Sequence, residues 1–322
     1  MNKCFHGLLV GVSVLPALLV MPAVAEIPAP VDGVLTNVTV SGETANRLYN
    51  LNTANNDLTI NNSTFLNNNG TVAWATGPDE NVGNTLIVND STFSNNAVSN
   101  SYGTISAGSY GKYLNINKST FTSNSSSFGG AVFSSAKDGT KIDDVTFAGN
   151  SAETTAGAVY AGSKASVLSS RFNGNTAIYA GAIYSETDLE VKNSSFESNE
   201  AQKISGAINI SGKAKITDST FKNNITHGEQ DGEGNDTFTY TGTNGRIYDS
   251  ESGAIGIAAD SDVTVTGSSF EQNIAGIGGA LGNGSMVTVK NSTFNKNYAV
   301  SQGGAIINFL YSKSTQTVQD IK

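Results

Sequence analysis

The chain reads Asn193-Ser194-Ser195-Phe196-Glu197-Ser198-Asn199 and then, after a short turn, Ser205-Gly206-Ala207-Ile208. This is one clean copy of a pattern whose core is Ser/Thr-x-Phe-x-x-Asn, followed six or seven residues later by Gly-Ala and an aliphatic residue. The phenylalanine returns every 24 to 28 residues, apart from one interval of 49 residues that is two repeats wide. A period near 25 residues predicts a solenoid, in which each repeat is one coil stacked on its neighbours.

Nine phenylalanines share this pattern, and each is followed by an asparagine three residues later. The pairs are Phe65 and Asn68, Phe93 and Asn96, Phe121 and Asn124, Phe147 and Asn150, Phe172 and Asn175, Phe196 and Asn199, Phe221 and Asn224, Phe270 and Asn273, and Phe294 and Asn297. We interpret them as structural residues. The phenylalanines would stack inside the rod, and each asparagine would occupy a tight turn, where it tolerates left-handed backbone angles and can bond to stacked asparagines.

Glycine–alanine pairs mark a further position of each coil. They begin at Gly130, Gly157, Gly181, Gly206, Gly253, Gly279 and Gly304, and looser Gly-Thr versions begin at Gly70 and Gly103. Glycine here gives the backbone room for a positive φ or for a close approach to another strand. We therefore assign these pairs to the architecture rather than to a site.

Alternation of apolar and polar residues predicts three short strands in each coil. One is the Gly-Ala-aliphatic segment, one alternates as in Leu189-Glu190-Val191-Lys192, and one is the Ser/Thr-x-Phe segment. This spacing predicts an all-β fold, namely a single-stranded right-handed parallel β-helix (a pectin-lyase-like solenoid) of about ten coils. No stretch after residue 25 has a sustained helical period.

The chain divides into three parts. Residues 1–25 contain Lys3, an apolar run over residues 7–21 and the small-x-small site Ala23-Val24-Ala25, which together predict a secretory signal peptide. Residues 26–57 include Ile27-Pro28-Ala29-Pro30 and are irregular, so we expect an N-terminal lead-in or capping segment. Residues 58–322 should form the repeats, with a loop insertion at about residues 226–250.

The composition argues against several classes of binding partner and of metal or catalytic site. The sole cysteine, Cys4, lies in the predicted signal peptide, so the mature chain should contain no disulfide. Without Lys3, 17 basic residues face 27 acidic ones, which argues against nucleic acid or an anionic membrane as a partner. We expect no transmembrane segment in the mature chain and no cofactor. His227 is the one histidine left, which is too little for a zinc site or a serine–histidine triad.

The insertion contains a partial calcium-loop pattern. Asp231, Glu233 and Asn235 have the spacing of the first three ligands of such a loop. Asp236 stands where the loop requires glycine, and Gly242 stands where it requires glutamate. We therefore predict a flexible acidic loop and no metal site.

Two sets of aromatic residues are candidates for binding a partner. Phe238, Tyr240 and Tyr248 lie in the insertion, and insertions in solenoids often carry binding residues. Phe133, Tyr160 and Tyr184 each follow a Gly-Ala-aliphatic segment, in a column that continues as Asn209, Gly256, Gly282 and Ile307. The preceding aliphatic residue should point inward, so this column should point outward. Exposed aromatic rows suit sugar rings or partner proteins, although the rings could instead cover one another and only stabilise the sheet.

Catalysis is an alternative, since other β-helices are polysaccharide lyases or hydrolases. Glycoside hydrolysis needs two carboxylates about 5–10 Å apart, which would come from equivalent positions in adjacent coils. Asp143, Asp144 and Asp218 are candidates, but we expect serine opposite Asp144 in nearby coils, at Ser119, Ser169 and Ser194. We therefore predict no catalytic residues.

The repeat resembles that of the chlamydial polymorphic outer-membrane proteins and is similar to the β-helix passengers of bacterial autotransporters. The resemblance covers about residues 60–307 and is carried by Phe-x-x-Asn paired with Gly-Gly-Ala-aliphatic. The copies are Phe121 to Asn124 with Gly129-Gly130-Ala131-Val132, Phe270 to Asn273 with Gly278-Gly279-Ala280-Leu281, and Phe294 to Asn297 with Gly303-Gly304-Ala305-Ile306. It implies a surface-displayed or secreted adhesin. Autotransporters also carry a C-terminal translocating barrel, and this chain stops at Gln319-Asp320-Ile321-Lys322, so we expect it to be the N-terminal part of a longer protein.

The expected function is that of an exported, non-catalytic passenger at the cell surface, in the outer membrane or outside the cell, after Sec-dependent export. Its expected partner is a protein or glycan on a host or neighbouring cell. Two alternatives stay open, namely a secreted polysaccharide lyase or hydrolase on the same fold and a purely structural stalk.

Overall fold

The computed structural model describes residues 27–79 and 82–309, and the backbone of residues 315–319. Every regular element in these ranges is a β-strand, and the strands stack as a parallel β-helix, which confirms the predicted fold class. The predicted signal peptide and the last three residues lie outside the described part. None of the described residues forms a helix long and apolar enough to cross a membrane.

Three parallel sheets run along the rod. Sheet 1 has 11 strands, which are Val34–Thr36, Leu58–Asn61, Thr85–Asn89, Tyr113–Asn117, Thr140–Asp143, Ala165–Leu168, Leu189–Lys192, Lys213–Thr217, Asp262–Thr266, Met286–Lys290 and Thr315–Gln319. Sheet 2 has 10 strands, which are Thr39–Ser41, Thr64–Leu66, Thr92–Ser94, Thr120–Thr122, Thr146–Ala148, Arg171–Asn173, Ser195–Glu197, Thr220–Lys222, Ser269–Glu271 and Thr293–Asn295.

Sheet 3 is the widest, because most coils contribute two strands to it. Its 18 strands are Thr44–Leu51, Asn69–Ala75, Ala97–Tyr102, Ile105–Ala107, Ser125–Phe128, Val132–Ser134, Ser151–Thr155, Val159–Ala161, Thr176–Tyr179, Ile183–Ser185, Glu200–Ile204, Ile208–Ile210, Ile225–Thr226, Ile255–Ile257, Ile274–Ile277, Leu281–Asn283, Tyr298–Gln302 and Ile306–Asn308. A separate antiparallel hairpin pairs Thr239–Thr241 with Ile247–Asp249.

A typical coil therefore has four strands rather than the predicted three. The additional strand follows the repeated asparagine, as in Glu200–Ile204, where the sequence indicated only a turn. Its residues do not alternate, and a register shift interrupts its pairing with Thr176–Tyr179. The sharp corner at the Gly-Ala pair then separates it from the last strand of the coil.

The phenylalanines form one column through the core. Each lies opposite the next in register in sheet 2, from Phe65 to Phe294. Adjacent rings are stacked with centroids 4.6–5.2 Å apart. All except Phe294 are almost completely buried. Each buried ring contributes about 1.5–3 kcal/mol of hydrophobic stabilisation.

The repeated asparagines form a second buried column beside the first. The Nδ2 of Asn150 donates to Asn175 Oδ1 and to the carbonyl of Phe121, both at 3.0 Å. Its Oδ1 accepts bonds from the backbone N and the Nδ2 of Asn124, also at 3.0 Å. The same side-chain bonds link the whole series from Asn68 to Asn297.

The left-handed turn residue is not the ladder asparagine, which corrects the prediction. It is the residue just before, such as Asn95 (φ 53°), Ser123 (φ 53°) or Gly149 (φ 61°). The ladder asparagine is buried and fully hydrogen-bonded, so its amide is used between coils rather than within its own turn. The outward-facing preceding residue absorbs the backbone strain, and its side chain is free to vary.

A serine ladder at the opposite end of sheet 2 was not predicted. Ser63 N donates to Ser91 Oγ at 3.1 Å, and Ser91 N donates to Ser119 Oγ at the same distance. Each hydroxyl in turn donates to the carbonyl two residues earlier, as Ser91 does to Asn89. Val145 interrupts this column, yet its backbone N still donates to the next serine, at 3.1 Å.

The glycines of the Gly-Ala pairs are needed for close approach between coils. A Cβ on Gly181 would lie 2.2 Å from the carbonyl oxygen of Gly206 and 2.6 Å from Glu200 N. The positive φ at this corner belongs to the residue before, here Ala180 with φ 58°. Of the two roles that the sequence left open, close approach is the one found.

The N-terminal segment and the insertion both join the stack. Val34–Thr36, Thr39–Ser41 and Thr44–Leu51 form a coil paired with the one that follows. Ile225–Thr226 still pairs with Glu200 and Ala201, so the insertion leaves the rod only after Thr226.

Candidate interaction surface

The predicted aromatic ladder is present on sheet 3. Phe133 lies opposite Tyr160 and Tyr160 opposite Tyr184 in the strand register. Their ring centroids are 4.8 Å and 5.4 Å apart, with interplanar angles of 18° and 24°. All three side chains are partly exposed, so the column points outward as predicted.

Two further rings lengthen this ladder toward the N-terminus. Ser106 lies opposite both Trp74 and Phe133 in register and would leave a gap in the column. The ring of Tyr102 lies between them, 6.0 Å from Trp74 and 4.4 Å from Phe133. We call the five rings Trp74, Tyr102, Phe133, Tyr160 and Tyr184 the aromatic row.

The packing of the row decides which part of each ring can meet a partner. Because the inner rings are flanked on both sides, their faces are largely covered and their edges point toward solvent. At one end the guanidinium of Arg47 lies 3.8 Å from the centre of the Trp74 ring. Burial raises the pKa of the Tyr160 hydroxyl, and the hydrogen bond that this hydroxyl donates to Glu186 raises it further.

The residues just before the Gly-Ala corner of sheet 3 lie along the same edge of the rod as the aromatic row. Tyr102 and Phe128 are opposite in register, and that position continues through Thr155 to Tyr179. The ring centroid of Phe128 lies 5.7 Å from that of Tyr102 and 6.3 Å from that of Tyr160, and the second pair is T-shaped. Side chains from both sides of the corner are therefore in contact.

The insertion folds as the antiparallel hairpin. Tyr240 lies opposite Tyr248, and their rings stack with centroids 5.6 Å apart. Asn244 Nδ2 donates to the Tyr248 hydroxyl at 2.8 Å. Phe238 has a positive φ of 57° at the base, and its carbonyl accepts a bond from Ser250 N at 2.7 Å. Of the three predicted residues, the structure thus pairs the two tyrosines and gives Phe238 a backbone role.

Lys203 connects the hairpin with the edge that carries the aromatic row. Its ammonium lies 6.0 Å from the ring of Tyr179 and 5.4 Å from that of Tyr240. Backbone bonds from His227 to Ala201 and from Gly228 to Gln202 hold the hairpin base on the same strand. The insertion therefore folds back beside the corner of sheet 3.

Glu251 occupies the point where the hairpin returns to the rod. It bridges Ile204 and Ile277 in register, and its backbone N donates to the Lys203 carbonyl at 3.0 Å. Burial raises the pKa of its carboxyl to about 7. The base of the hairpin therefore contains a carboxyl group that titrates near neutral pH.

The acidic tip of the insertion binds its own backbone. Asp231 Oδ1 accepts bonds from Asn235 N and Glu233 N, both at 2.9 Å, and these donors lower the pKa of Asp231. Within the described ranges, no three His, Cys, Asp or Glu side chains are grouped so that they could hold a metal ion.

Asp144, one of the catalytic candidates, has neighbours in adjacent coils that differ in part from those predicted. Asp144 lies at a left-handed turn position that Lys118 and Ser169 occupy in the neighbouring coils. Ser169 was predicted correctly, but Ser119 and Ser194 are one residue out of register, since each belongs to the buried serine column. Asp144 thus has a lysine on one side.

Sheet 1 carries a shallow groove of about 490 Å³ whose charged lining comes from several coils. Glu190 lies opposite Lys215, and Lys213 opposite Asp262. The charged residues are Lys164, Asp188, Glu190, Lys213, Lys215 and Asp262. Opposite charges on adjacent coils support the strand register. The same groove also places carboxylates on different coils, which the enzyme alternative requires.

Comparison with known proteins adds no relative to this picture. No family model, no curated protein and no solved structure matches the chain.

Proposed function

We propose that this chain is an exported, non-catalytic β-helix that binds a protein on the surface of a host or neighbouring cell. The aromatic row and the hairpin together form its contact face. The predicted signal peptide, the acidic composition and the repeat support export and a surface or extracellular location.

One observation carries the proposal, namely that two independent features lie on one edge of the rod. The row is built by five successive coils of the repeat, whereas the hairpin is an insertion in a later coil. Lys203 lies against an aromatic ring from each side, Tyr179 and Tyr240. A purely structural row would not need an inserted hairpin beside it, and insertions on one face of a solenoid often bind.

The stacking of the rings favours a protein over a sugar as the partner of the row. Sugar rings pack on the face of an aromatic side chain, and here the inner faces are covered by neighbouring rings. The exposed edges, together with Tyr102 and Tyr248, two residues that are each 39% exposed, suit the mixed contacts of a protein interface.

The test compares two triple variants of the purified mature chain on cells and on immobilised surface proteins. F133S/Y160S/Y184S removes three of the five rings of the row, and I87S/Y113S/L168S removes three partly exposed apolar side chains from sheet 1. We expect the first to lose about tenfold or more in affinity and the second to bind as the native chain does. Equal binding by both folded variants would leave the row a stabilising ladder only. Binding that survives removal of surface proteins but not of surface glycans would instead favour a glycan partner.

A second candidate, a secreted polysaccharide-active enzyme, is supported by the charged groove of sheet 1. Glu190 and Asp262 come from different coils there, with lysines beside them. Incubation with acidic and neutral polysaccharides, followed by detection of new reducing ends or unsaturated sugars, tests it. Activity that disappears in Glu190→Gln would establish the enzyme, whereas the interaction proposal predicts no product.

A further inference from the structure

A second surface feature lies at the N-terminal end of the aromatic row. It is a groove of about 920 Å³, and most of its lining side chains are polar. The lining residues are Thr44, Ala45, Asn46, Arg47, Asn50, Asn69, Gly70, Val98, Ser99 and Ser101. Only Ala45 and Val98 are apolar, and Val98 is buried. We call this the Arg47 groove.

Departures from the regular coil create the groove. Between Val98 and Tyr102 the chain has three residues where the next coil, between Ser126 and Phe128, has one. Ser99 and Ser101, which belong to the resulting bulge, line the groove. On the floor, Gly70 packs so closely on the first coil that a Cβ would lie 1.6 Å from the Ala45 carbonyl oxygen. The lining of the groove thus comes from the first three coils.

Arg47 supplies the charge of the groove. Its guanidinium is held against the Trp74 ring at 3.8 Å, and its side chain is otherwise exposed. Among the residues that the structure describes, no carboxylate forms an ion pair with it. Stacking leaves the N–H edge of a guanidinium free, and that edge matches a carboxylate with two parallel hydrogen bonds.

The remaining lining residues match the hydroxyl groups of a sugar. Asparagine amides both donate and accept, and serine and threonine hydroxyls do the same. Asn46, Asn50 and Ser99 are exposed and line the same groove as Arg47, so they can bond to hydroxyls on a ring whose carboxylate is held by Arg47. The several exposed amide and hydroxyl groups of the lining favour a ligand that carries several hydroxyl groups beside its carboxylate.

We infer that the Arg47 groove binds a saccharide unit that carries a carboxylate. Arg47 holds the carboxylate, and the asparagine and serine side chains hold the ring hydroxyls. This inference does not rest on the proposed protein contact of the row, because the groove has its own lining and its own charge. The two can therefore fail separately.

The first experiment titrates the purified mature chain with two acidic probes, sialyllactose and tetragalacturonic acid, and with lactose as the neutral control. We expect at least one acidic probe to bind, with an affinity that falls as salt is raised, and lactose to bind much more weakly. Arg47→Gln should weaken binding about tenfold to a hundredfold. Arg171→Gln, which removes an exposed arginine from sheet 2, should leave binding unchanged.

A second pair of variants keeps the Arg47–Trp74 contact intact. Ser99→Asp places a competing carboxylate in the wall, and Ser99→Asn is its neutral counterpart of similar size. We expect loss of binding in the first and retention in the second. Absence of binding by both acidic probes, equal binding of lactose, tighter binding of an acidic peptide such as tetraglutamate, or native binding by a folded Arg47→Gln variant would each overturn the inference.

Discussion

Each inner ladder asparagine, from Asn96 to Asn273, uses all the hydrogen-bonding capacity of its amide. The two N–H groups and the two lone pairs of Asn150 are each occupied by a bond of 3.0 Å. A buried amide is costly unless it is satisfied in this way. The column therefore fixes the register of adjacent coils as well as adding stability.

Asn150→Ala should destabilise the protein by about 3 kcal/mol, because the buried donors of Asn124 and the carbonyl of Phe121 lose their partner. Asn117→Ala is the matched control. It removes a partly exposed amide that makes one 2.8 Å bond to Asn89, and its cost should be below about 1 kcal/mol. Urea unfolding followed by circular dichroism measures both. Equal midpoints for the two variants would contradict the role given to the buried ladder.

Three glycines separate the effects of steric clash and backbone strain. Gly181→Ala should be the most damaging, because its Cβ would meet backbone atoms at 2.2 Å. Gly174→Ala has free space but a φ of 62°, so we expect a cost of about 1 kcal/mol. Gly232→Ala has free space, and its φ is not in the left-handed region, so it should be nearly neutral. Thermal unfolding of the three variants gives the order, and a neutral Gly181→Ala would show that the coils can move apart.

At the residue scale, the sequence predicted which residue types recur better than it predicted where each of them lies in the coil. The buried phenylalanines and the outward column at Phe133 followed directly from the period. The left-handed residue was misplaced by one, since both Asn95 and Asn96 are types that suit a turn and only the packing distinguishes them. Tyr102 was missed because it follows a bulge before the corner and replaces a ring that Ser106 cannot provide.

At the scale of elements, the hairpin is the part least dependent on the repeat. Its position was predictable from the interval of 49 residues between Phe221 and Phe270. Its position beside the edge that carries the row was not, because it depends on Lys203 meeting Tyr179 and Tyr240 from different coils. Turn residues of the insertion gave no sequence signal for the direction in which it folds.

Glu251 makes the base of this element sensitive to pH. Its pKa is about 7 in the folded protein and near 4.5 when exposed, so the folded state binds the proton more tightly. Stability attributable to this group is therefore greatest below about pH 4.5, declines as the pH rises toward 7 and stays low above it. Between pH 5 and 8 the loss should be about 2 kcal/mol.

Glu251→Gln isolates this contribution. The variant and the native chain should unfold at similar urea concentrations at pH 5, and the variant should be the more stable at pH 8. Glu197→Gln, at an exposed position of sheet 2, should follow the native chain at both values. A native chain that gains stability relative to Glu251→Gln as the pH rises would contradict the assignment.

At the scale of the whole molecule, the coils keep one register across the insertion. Phe221 and Phe270 stack at 4.9 Å although the hairpin separates them in sequence. The rod thus holds the row and the hairpin in fixed positions along one edge. Fold class and coil number were predictable because nine copies of the motif agree. The contact face was not, because it is built by the irregular residues between them.

The most direct test of that face is site-specific photo-cross-linking on intact cells that bind the protein. A photoreactive phenylalanine analogue replaces Tyr184 in the row, Tyr248 in the hairpin or, as the control, Tyr113 on sheet 1. The account predicts that Tyr184 and Tyr248 capture the same surface protein and that Tyr113 captures none of it. Capture from Tyr113 with equal yield, or different partners at Tyr184 and Tyr248, would contradict a single contact face.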